Sequence, residues 1–494
     1  MNYISTRNKS VKVTAAEAIA KGISAEGGLF VPDSFVKFTD EDFKKLCGLD
    51  YIGRAKYVLK YFLNDFTEEE IDYCVRGAYT GSFDNDIPAP VSVVGDMNIL
   101  ELWHGPTCAF KDLALQLLPY LLTTSAKKTA AGKKTVILVA TSGDTGKAAL
   151  EGFCDVPDTE IIVFYPSDGV SPMQKLQMDS QKGGNVHVVA IRGNFDDAQT
   201  GVKKIFTDAA VKEKLAKNGM QFSSANSINW GRLAPQIVYY VSAYCDLISR
   251  GEDLTDGFNV VVPTGNFGNI LAAYYAKKMG VPINKLICAS NSNNVLTDFI
   301  RTGVYDRNRK FYTTVSPSMD ILISSNLERM LFELSGCNDE EVAKMQEELS
   351  KSGTFKVSGG IRSKMAELFW GGCCNDGQTL DTIGKVFGEY GYLCDTHTAV
   401  AVNVYGQYKE QTNDRRTTVI ASTASPYKFA DSVLKAVSDK DSGTEFGNVK
   451  LLSDITGAEV PEPIQALERA EVRFKEICDK DKMLSAVYSA LGIK

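Results

Sequence analysis

Two segments of the sequence each combine an apolar strand, a glycine-rich turn and a helix. The first passes from residues 135–141 through Ser142-Gly-Asp-Thr-Gly146 into a predicted helix. The second passes from residues 259–264 through Gly265-Asn-Phe-Gly-Asn269 into another. Because strand, turn and helix in this order build parallel sheets with helices on both faces, the two segments indicate an α/β fold. The turns lie more than 100 residues apart, so we expect two α/β units around a cleft.

The same alternation continues along the chain. Short apolar runs rich in β-branched residues predict buried strands, and helical stretches separate them. The predicted strands are residues 136–140, 161–165, 186–191, 260–262, 286–289 and 418–421. The sequence therefore predicts two doubly wound parallel α/β units. Ligands bind such sheets beyond the carboxyl ends of the strands, which is where Ser142, Gly265 and Thr423 fall.

The first 90 residues do not follow this pattern. Capping boxes that begin at Thr14 and Thr67 predict helix starts, and the turn-rich segment 82–90 predicts a boundary. A chain of 494 residues exceeds what one hydrophobic core usually organises. We therefore expect residues 1–90 to form a mostly helical N-terminal accessory region that supports the α/β units.

One lysine lies where a strand meets a helix. The run is His104-Gly-Pro-Thr-Cys-Ala-Phe-Lys111-Asp, between a strand predicted at 98–103 and a helix predicted at 112–122. The positive end of the helix dipole and partial burial both destabilise an ammonium group at Lys111. A neutral amine is the form that makes a Schiff base with a carbonyl. The ordinary alternative is a surface lysine whose stem packs on apolar neighbours.

A reactive lysine together with two glycine turns points to pyridoxal phosphate. Glycine turns at helix starts gather backbone N–H groups that suit a phosphate or a carboxylate. Neither turn matches a dinucleotide fingerprint or a nucleotide-binding P-loop. Pyridoxal phosphate needs both an amine for its aldehyde and a site for its phosphate. The sequence therefore predicts an enzyme that uses this cofactor.

Four motifs follow one another along the chain. They are His104-Gly-Pro-Thr-Cys-Ala-Phe-Lys111-Asp, Ala140-Thr-Ser-Gly-Asp-Thr-Gly146, Val262-Pro-Thr-Gly-Asn-Phe-Gly-Asn269 and Ala421-Ser-Thr-Ala-Ser-Pro-Tyr-Lys-Phe429. Together with Gly27-Gly-Leu-Phe-Val-Pro32 near the start, they resemble the threonine synthase family of the bacterial and fungal kind. The resemblance implies a fold-type II pyridoxal-phosphate enzyme that converts O-phospho-L-homoserine and water into L-threonine and phosphate. It also implies a large cofactor-binding domain at residues 91–130 and 231–494, and a smaller mobile domain at residues 131–230.

The motifs imply a set of cofactor residues. These are Lys111, Gly265, Asn266, Phe267, Gly268, Asn269 and Thr423. Lys111 holds the cofactor and then serves as the base that moves protons at the substrate carbons. The loop 265–269 cradles the cofactor phosphate with main-chain donors, and a simple tight turn is the alternative. Thr423 resembles the hydroxyl that the family places against the pyridine nitrogen, with Ser422 or Ser425 as alternatives.

A second set is assigned to the substrate. The residues are Ser142, Asp144 and Thr145 for the α-carboxylate, and Ser224, Asn226 and Arg232 for the phosphate. Arg232 is assigned because a guanidinium binds phosphate oxygens in bidentate fashion. A helix-start cap with a surface arginine is the alternative there. Asp144 fits poorly beside a carboxylate, so a helix N-cap is its alternative role.

Three further features are left with two interpretations. His104 either orients the cofactor or phosphate, or is a hydrogen-bonded structural residue. Lys147 stands where family members tend to have a small residue, and it either faces solvent or adds to the anion site. The connection at residues 303–324 either covers or flanks the site.

Two other functions compete with the predicted one. Another fold-type II lyase, such as a threonine-synthase-like phospholyase, would share Lys111 and the loop 265–269 but release a keto acid and ammonia. A catalytically silent binding module on the same fold would be expected to lack the lysine. We expect the product formed from O-phospho-L-homoserine to decide between the two enzymes.

Composition limits the partners and the location. A net charge of −7 gives no general affinity for nucleic acid or acidic membranes. The 11 cysteines form no CxxC pair and the 3 histidines are dispersed, so no metal site is expected. No run approaches the ~20 apolar residues of a membrane span. We expect a cytoplasmic enzyme, monomeric or homodimeric, that acts on a small molecule.

Overall fold

The computed structural model describes residues 1–84, 87–129, 132–141, 143–167 and 170–493. The strands of these residues are numbered in chain order. They are β1 Tyr3–Ser5, β2 Asn8–Val13, β3 Phe30–Pro32, β4 Val91–Val94, β5 Met97–Glu101, β6 Lys134–Ala140, β7 Thr159–Pro166, β8 Val186–Arg192, β9 Met220–Ser223, β10 Phe258–Pro263, β11 Ile283–Ser290, β12 Val304–Asp306, β13 Thr354–Lys356, β14 Phe369–Cys373, β15 Thr418–Ser422 and β16 Ile477–Asp479.

The α-helices of the same residues are also numbered in chain order. They are α1 Ala15–Lys21, α2 Asp40–Cys47, α3 Tyr51–Phe62, α4 Glu68–Tyr79, α5 Asp112–Leu115, α6 Leu118–Thr129, α7 Asp144–Phe153, α8 Pro172–Asp179, α9 Phe195–Thr207, α10 Ala209–Lys217, α11 Trp230–Ser249, α12 Gly268–Lys278, α13 Val295–Thr302, α14 Leu327–Leu334, α15 Asp339–Ser352, α16 Gly359–Leu368, α17 Asp376–Tyr390, α18 Thr396–Thr412, α19 Ala430–Val437, α20 Glu445–Thr456, α21 Glu462–Leu467 and α22 Met483–Ala490.

The larger sheet has the strand order β14-β11-β10-β15-β5-β4. Its neighbours are parallel except for β4, which pairs antiparallel with β5. The interior strand β10 is buried along its whole length, as a strand covered on both faces must be. Helices such as α11 and α12 pack against each other beside this sheet. The strand β5 runs into the loop of Lys111, and β15 runs into Thr423.

The smaller sheet has the strand order β16-β8-β7-β6-β9, with every neighbouring pair parallel. All six predicted strands are present in the two sheets, so the predicted α/β class is confirmed. The last strand departs from the predicted domain division, because β16 pairs with β8 of the smaller sheet rather than joining the large domain. The spacing of apolar residues at 464–477 predicts a helix, which is wrong beyond Leu467, since the helix ends there and Ile477 begins β16.

The N-terminal region is mostly helical, as predicted, and it also contains an antiparallel sheet of order β2-β1-β3 that the sequence did not indicate. Both predicted capping boxes are formed, at Thr14 and at Thr67. The helix predicted at 112–122 is divided into α5 and α6. Pro119, in the first turn of α6, explains the division, because it lacks the N–H that a continuous helix would need.

Candidate active site

The loop that carries Lys111 is held by the carboxylate of Asp112. Its Oδ2 accepts from the Thr107 backbone N–H at 2.8 Å and its Oδ1 accepts from the Thr107 hydroxyl at 2.6 Å. Gly105 is required beside it, because a Cβ there would lie 2.6 Å from Asp112 Oδ2. Burial raises the pKa of Asp112 to about 6, although the bonds from Thr107 oppose the shift. This turn therefore fixes the direction in which the chain enters α5 at Lys111.

The same loop is joined to the end of β15. The Phe110 N–H donates to the Thr423 carbonyl at 2.9 Å, and Ala109 bridges Ala424. Thr423 is buried at this junction. The hydroxyl of Ser422 is used elsewhere, since it accepts from Trp103 Nε1 at 3.1 Å and from the Thr398 hydroxyl at 3.0 Å.

Ser425 also has a local role. Its hydroxyl accepts from the Tyr427 N–H at 3.4 Å, which caps the short 3₁₀ turn Pro426–Phe429. Of the three hydroxyls considered for the pyridine nitrogen, Thr423 is thus the one that lies at the junction with the Lys111 loop and has no such capping role. This favours Thr423 as the residue that meets the pyridine nitrogen, and that role stays a prediction.

Lys111 is buried and faces a carboxylate. Its side chain is 11% exposed, and its Nζ lies 3.6 Å from Asp144 Oδ2. Burial lowers the pKa of Lys111; Asp144 opposes this shift, whereas the charges of Lys428 and Arg232 reinforce it. The surface-lysine alternative is therefore wrong. The amine is held in surroundings that favour loss of its proton, as a nucleophilic or basic lysine requires.

Asp144 begins α7, and its carboxylate is surrounded by donors. Oδ1 receives Lys428 Nζ at 2.8 Å and Gln174 Nε2 at 3.1 Å, while Oδ2 receives the Ser318 hydroxyl at 3.3 Å. The cap residue of α7 is Gly143, with no side-chain cap bond, so the N-cap alternative for Asp144 is wrong. Burial works against ionisation, but Lys428 and Lys111 hold the pKa of Asp144 well below its usual range.

The remaining residues of this turn separate into different environments. Ser142 lies outside the described residues, and Thr145 is half-buried in the first turn of α7. Lys147 is neither at the surface nor in the anion site. It is buried, donates to Glu151 at 2.8 Å and bonds Gln181, so its charge is already paired.

The loop between β10 and α12 is shaped by close backbone contacts. A Cβ on Gly265 would lie 2.7 Å from the Ser318 carbonyl oxygen, so a larger residue does not fit. The Gly265 carbonyl accepts from the Ser324 hydroxyl at 2.8 Å, and the Asn266 carbonyl accepts from the Asn326 N–H at 3.0 Å. Phe267 adopts a left-handed backbone with φ 61°, which is unusual for a bulky residue. This strained turn aims the start of α12, at Gly268, into the site.

Asn269, in the first turn of α12, has one amide group without a partner. Its Oδ1 accepts from the Tyr240 hydroxyl, whereas its buried Nδ2 meets no hydrogen-bond partner among the described residues. A buried donor left unsatisfied is costly, so it marks a place for an acceptor. Together with the helix start at Gly268, it suits a phosphate group.

Arg232 lies in the first turn of α11 and is 2% exposed. Its Nη1 donates to the Ala225 carbonyl at 2.7 Å, but its buried Nε has no partner among the described residues. Burial lowers the pKa of Arg232 to about 10. The surface-arginine alternative is therefore wrong. A guanidinium held in this way needs an anion.

Ser224 and Asn226 lie on the loop that leads to Arg232. The Ser224 hydroxyl accepts from the Asn226 N–H at 3.2 Å, and the intervening Ala225 carbonyl receives Arg232. Ser224 is buried and Asn226 is exposed. The structure thus brings the loop and Arg232 together; that either residue binds a phosphate stays a prediction.

His104 is held between two carboxylates. Its Nε2 lies 2.9 Å from Glu101 Oε2 and its Nδ1 lies 3.3 Å from Asp84 Oδ2. Burial lowers the pKa of His104, but the two carboxylates outweigh this and raise it above its usual value. Because both ring nitrogens are engaged, the structural interpretation is favoured.

Two features near the site were not assigned a role from the sequence. Lys428 belongs to the motif Ala421–Phe429 and lies just beyond β15, at the same sheet edge as Thr423; this position is the signal that indicates it. Ser318 belongs to the connection 303–324, which does flank the site. Its N–H donates to His397 Nε2 at 3.1 Å, and its hydroxyl and carbonyl face Asp144 and Gly265.

The residues present fit pyridoxal phosphate. Lys111 offers a buried amine, and the start of α12 with Asn269 offers unsatisfied donors beside a turn that only glycine can occupy at Gly265. Within the described residues, no group of His, Cys, Asp and Glu side chains could hold a metal ion, and none of the helices is both long and apolar enough to cross a bilayer.

Three protein-family profiles match this chain. The profile described as threonine synthase N terminus matches residues 2–79, and the one described as threonine synthase, C-terminal, matches residues 398–487. The profile described as pyridoxal-phosphate dependent enzyme matches residues 99–359, which is more than half of the chain. That middle match includes Lys111, the loop 265–269 and Arg232.

Individual proteins are similar over most of the chain. Human threonine synthase-like 1 is 40% identical over 459 residues, which cover 89% of this chain; the chain spans only 61% of the human protein's length. Threonine synthase of Pseudomonas aeruginosa is 38% identical, with 88% of this chain and 90% of that protein covered. A crystal structure of pyridoxal-phosphate-bound threonine synthase from Brucella melitensis has a TM-score of 0.88 at 35% identity, over 99% of both chains.

Proposed function

The chain belongs to the threonine synthase family of pyridoxal-phosphate-dependent enzymes, and from this premise we propose that it converts O-phospho-L-homoserine and water into L-threonine and phosphate. The observation that carries the proposal is the buried guanidinium of Arg232, whose Nε has no partner in the described part of the chain. It adds a third cation to the site, because its charge acts on Lys111, which together with Lys428 faces the carboxylate of Asp144. Such a site favours anionic ligands.

We propose distinct roles for the residues around the cofactor. Lys111 would hold the cofactor through its aldehyde, the loop Gly265–Asn269 would bind the cofactor phosphate through N–H groups and the Asn269 amide, and Thr423 would lie against the pyridine nitrogen. When bound, pyridoxal phosphate supplies an electron sink for charge at the carbon next to the amino group. The Lys111 amine would take the proton from Cα, pass it to the substrate phosphate, and then take a proton from Cβ.

The substrate residues provide orientation and charge. We propose that Arg232, with Ser224 and Asn226 on the neighbouring loop, binds the phosphate that leaves from Cγ. We propose that Ser142, Asp144 and Thr145 bind the α-carboxylate. Phosphate departs with the electron pair of the Cγ–O bond and the proton taken from Cα, and Lys111 then gives the Cβ proton to Cγ. The oxygen of water adds to Cβ, and the proton that this water loses to Lys111 returns to Cα.

Stray water must be kept out until the unsaturated intermediate has formed. The near-complete burial of Asp144, Lys428 and Arg232 supports such exclusion. We propose that residues 131–230 act as a smaller mobile domain that opens for substrate and closes by bringing Asp144 against the larger domain.

A second candidate is a phospholyase that splits the same kind of substrate into a keto acid, ammonia and phosphate. The 40% identity to human threonine synthase-like 1 favours keeping it. The deciding assay supplies O-phospho-L-homoserine to the purified chain and quantifies threonine, keto acid and phosphate. Threonine in equal amount to phosphate supports the proposal; keto acid with ammonia in its place supports the phospholyase.

The Arg232→Ala variant is expected to bind O-phospho-L-homoserine about 10- to 150-fold more weakly, because one charge-assisted contact is worth about 1.5–3 kcal/mol. L-homoserine, which lacks the phosphate, should be affected little. The affinity for O-phospho-L-homoserine is measured from the substrate dependence of turnover, and that for L-homoserine from its inhibition of the same turnover. The control is Arg232→Lys, which keeps the charge and should retain part of the affinity. Equal weakening for both ligands would mean that Arg232 has a structural role.

The Thr423→Asp variant is expected to change the visible absorption of the bound cofactor and to shift products from threonine toward keto acid. A carboxylate in place of the hydroxyl favours a protonated ring nitrogen and so makes the cofactor a stronger electron sink. Spectra with O-phospho-L-homoserine and the product ratio are measured, with Thr423→Ser as the control that keeps a hydroxyl. An unaltered spectrum and product ratio, with cofactor still bound, would show that Thr423 does not contact the cofactor ring.

A further inference from the structure

Three buried charged side chains form a row across the site. Asp144 lies between Lys111 and Lys428, and each of its two carboxylate oxygens lies near a different lysine. Oδ1 lies 2.8 Å from Lys428 Nζ, whereas Oδ2 lies 3.6 Å from Lys111 Nζ. The side chains of Asp144 and Lys428 are 3% and 0% exposed, so water does not screen the row.

The row joins parts of the chain that belong to different sheets. Asp144 begins α7, directly after strand β6 of the smaller sheet. Lys428 follows β15 and Lys111 follows β5, and both of these strands belong to the larger sheet. The contact between Asp144 and the lysines therefore joins segments that follow strands of the two different sheets. Since a helix N-terminus favours an anion, the start of α7 is a suitable position for the carboxylate.

Lys428 is also tied to the loop that carries Lys111. Its Nζ donates to the Thr107 carbonyl at 2.8 Å, and Asp112 holds the N–H and hydroxyl of the same residue. The ammonium thus has two fixed acceptors, the Thr107 carbonyl and Asp144 Oδ1. A lysine held in this way orients the carboxylate and leaves Oδ2 toward Lys111.

We propose that Asp144 and Lys428 form a positioning device for Lys111, in which Asp144 is the counter-ion that faces Lys111 and Lys428 is the fixed cation that orients and shares it. The proposal rests on the proposed role of Lys111 and assigns Lys428, which had none. Asp144 favours the ammonium form of Lys111, and Lys428 favours the neutral amine. The two residues therefore shift the ionisation of Lys111 in opposite directions.

The electrostatics of the described residues agree with this geometry. Burial lowers the pKa of Lys111 most; Asp144 raises it, and Lys428 and Arg232 lower it. Among the described residues, these three are the charged groups that shift the pKa of Lys111 most. An ion pair between Asp144 and Lys428 that had no effect on Lys111 would leave the pKa of this lysine unchanged when either residue is replaced, so opposite shifts at Lys111 distinguish the two possibilities.

The test measures the ionisation of Lys111 without any turnover. The full-length chain, freed of cofactor, is labelled with trace acetic anhydride over a range of pH, and modification of the Lys111 peptide is read by mass spectrometry. The exposed Lys217 serves as the internal standard. We expect Asp144→Asn to move the labelling midpoint of Lys111 to lower pH and Lys428→Met to move it to higher pH.

Matched variants make the result decisive. Glu151→Gln removes a carboxylate of the same helix α7 that pairs with Lys147, and it should leave the midpoint of Lys111 in place. If Asp144→Asn does not fold, Ser318→Ala replaces it. This variant removes the hydroxyl that donates to Asp144 Oδ2, so it frees that oxygen for Lys111 and should raise the midpoint.

Shifts of Asp144→Asn and Lys428→Met in the same direction, or no larger than that of Glu151→Gln, would overturn the proposal. If Ser318→Ala stands in for the first variant, an unmoved or lowered midpoint overturns it. The measurement uses no amino-acid substrate, so it is independent of the reaction proposed above. A chain that makes keto acid instead of threonine would refute that function and leave the positioning device untouched.

Discussion

Replacing Lys111 by alanine is expected to abolish turnover of O-phospho-L-homoserine while part of the cofactor stays bound. Loss of a positioned proton-transfer group costs about 10²–10⁴-fold, and Lys111 is also the proposed covalent attachment point. The loop Gly265–Asn269, with the free amide of Asn269, is intact in this variant and should retain the cofactor phosphate. Activity and cofactor content are measured on the same preparations.

Borohydride reduction of the unaltered chain provides the complementary measurement. It should fix the cofactor on the peptide that contains Lys111. The control variant Lys147→Ala removes another buried lysine near the site, one whose charge is paired with Glu151, and it should still be labelled at Lys111. Label on a different lysine, or substantial turnover by Lys111→Ala, would contradict the assignment.

Replacing Asp144 by asparagine is expected to lower the stability of the protein by about 3–5 kcal/mol, the usual cost of leaving a buried charge without its partner. Lys428 is 0% exposed, and without Asp144 its ammonium would keep the Thr107 carbonyl as its fixed acceptor. The fall should appear as a lower urea midpoint of the full-length chain. Lys111 also loses its counter-ion, but its amine can become neutral at little cost.

The double variant Asp144→Asn with Lys428→Met should recover a large part of this loss, since both charges leave the interior together. Glu213→Gln provides the control, because its partner Lys217 is 72% exposed and such pairs contribute little. A double variant that is as unstable as the sum of the two single variants would show that Asp144 and Lys428 do not act as a pair.

Local patterns in the sequence predicted the frame of the site. Glycine turns after apolar strands located the loop 265–269 and the start of α7, and the strand-to-helix junction located Lys111. These signals are local because backbone geometry alone requires them. The assignment of Arg232 rested on residue chemistry, and the structure adds the reason: its guanidinium is buried, and its Nε meets no partner among the described residues.

Contacts between distant segments could not be predicted in the same way. Lys428 and Asp144 are separated by most of the large domain, and neither neighbourhood indicates an ion pair. The position of Ser318 against Gly265 depends on how an irregular connection folds back. Likewise, the segment Ile477–Asp479 is too short to show a strand pattern, and it pairs with the edge of β8 that no other strand of the described residues occupies.

The pairing of β16 with β8 has a consequence for synthesis on the ribosome. Strands β6 to β9 emerge long before residues 477–479, so in the nascent chain β8 is an edge strand with unpaired N–H and C=O groups. The apolar residues Val189 and Val202 also remain uncovered until α22 is made, because Met483 and Val487 of this helix complete their cluster. Exposed edges invite pairing with other chains. Translation that stalls before β16 is therefore expected to yield aggregation-prone chains, although every residue assigned to the active site has already been made.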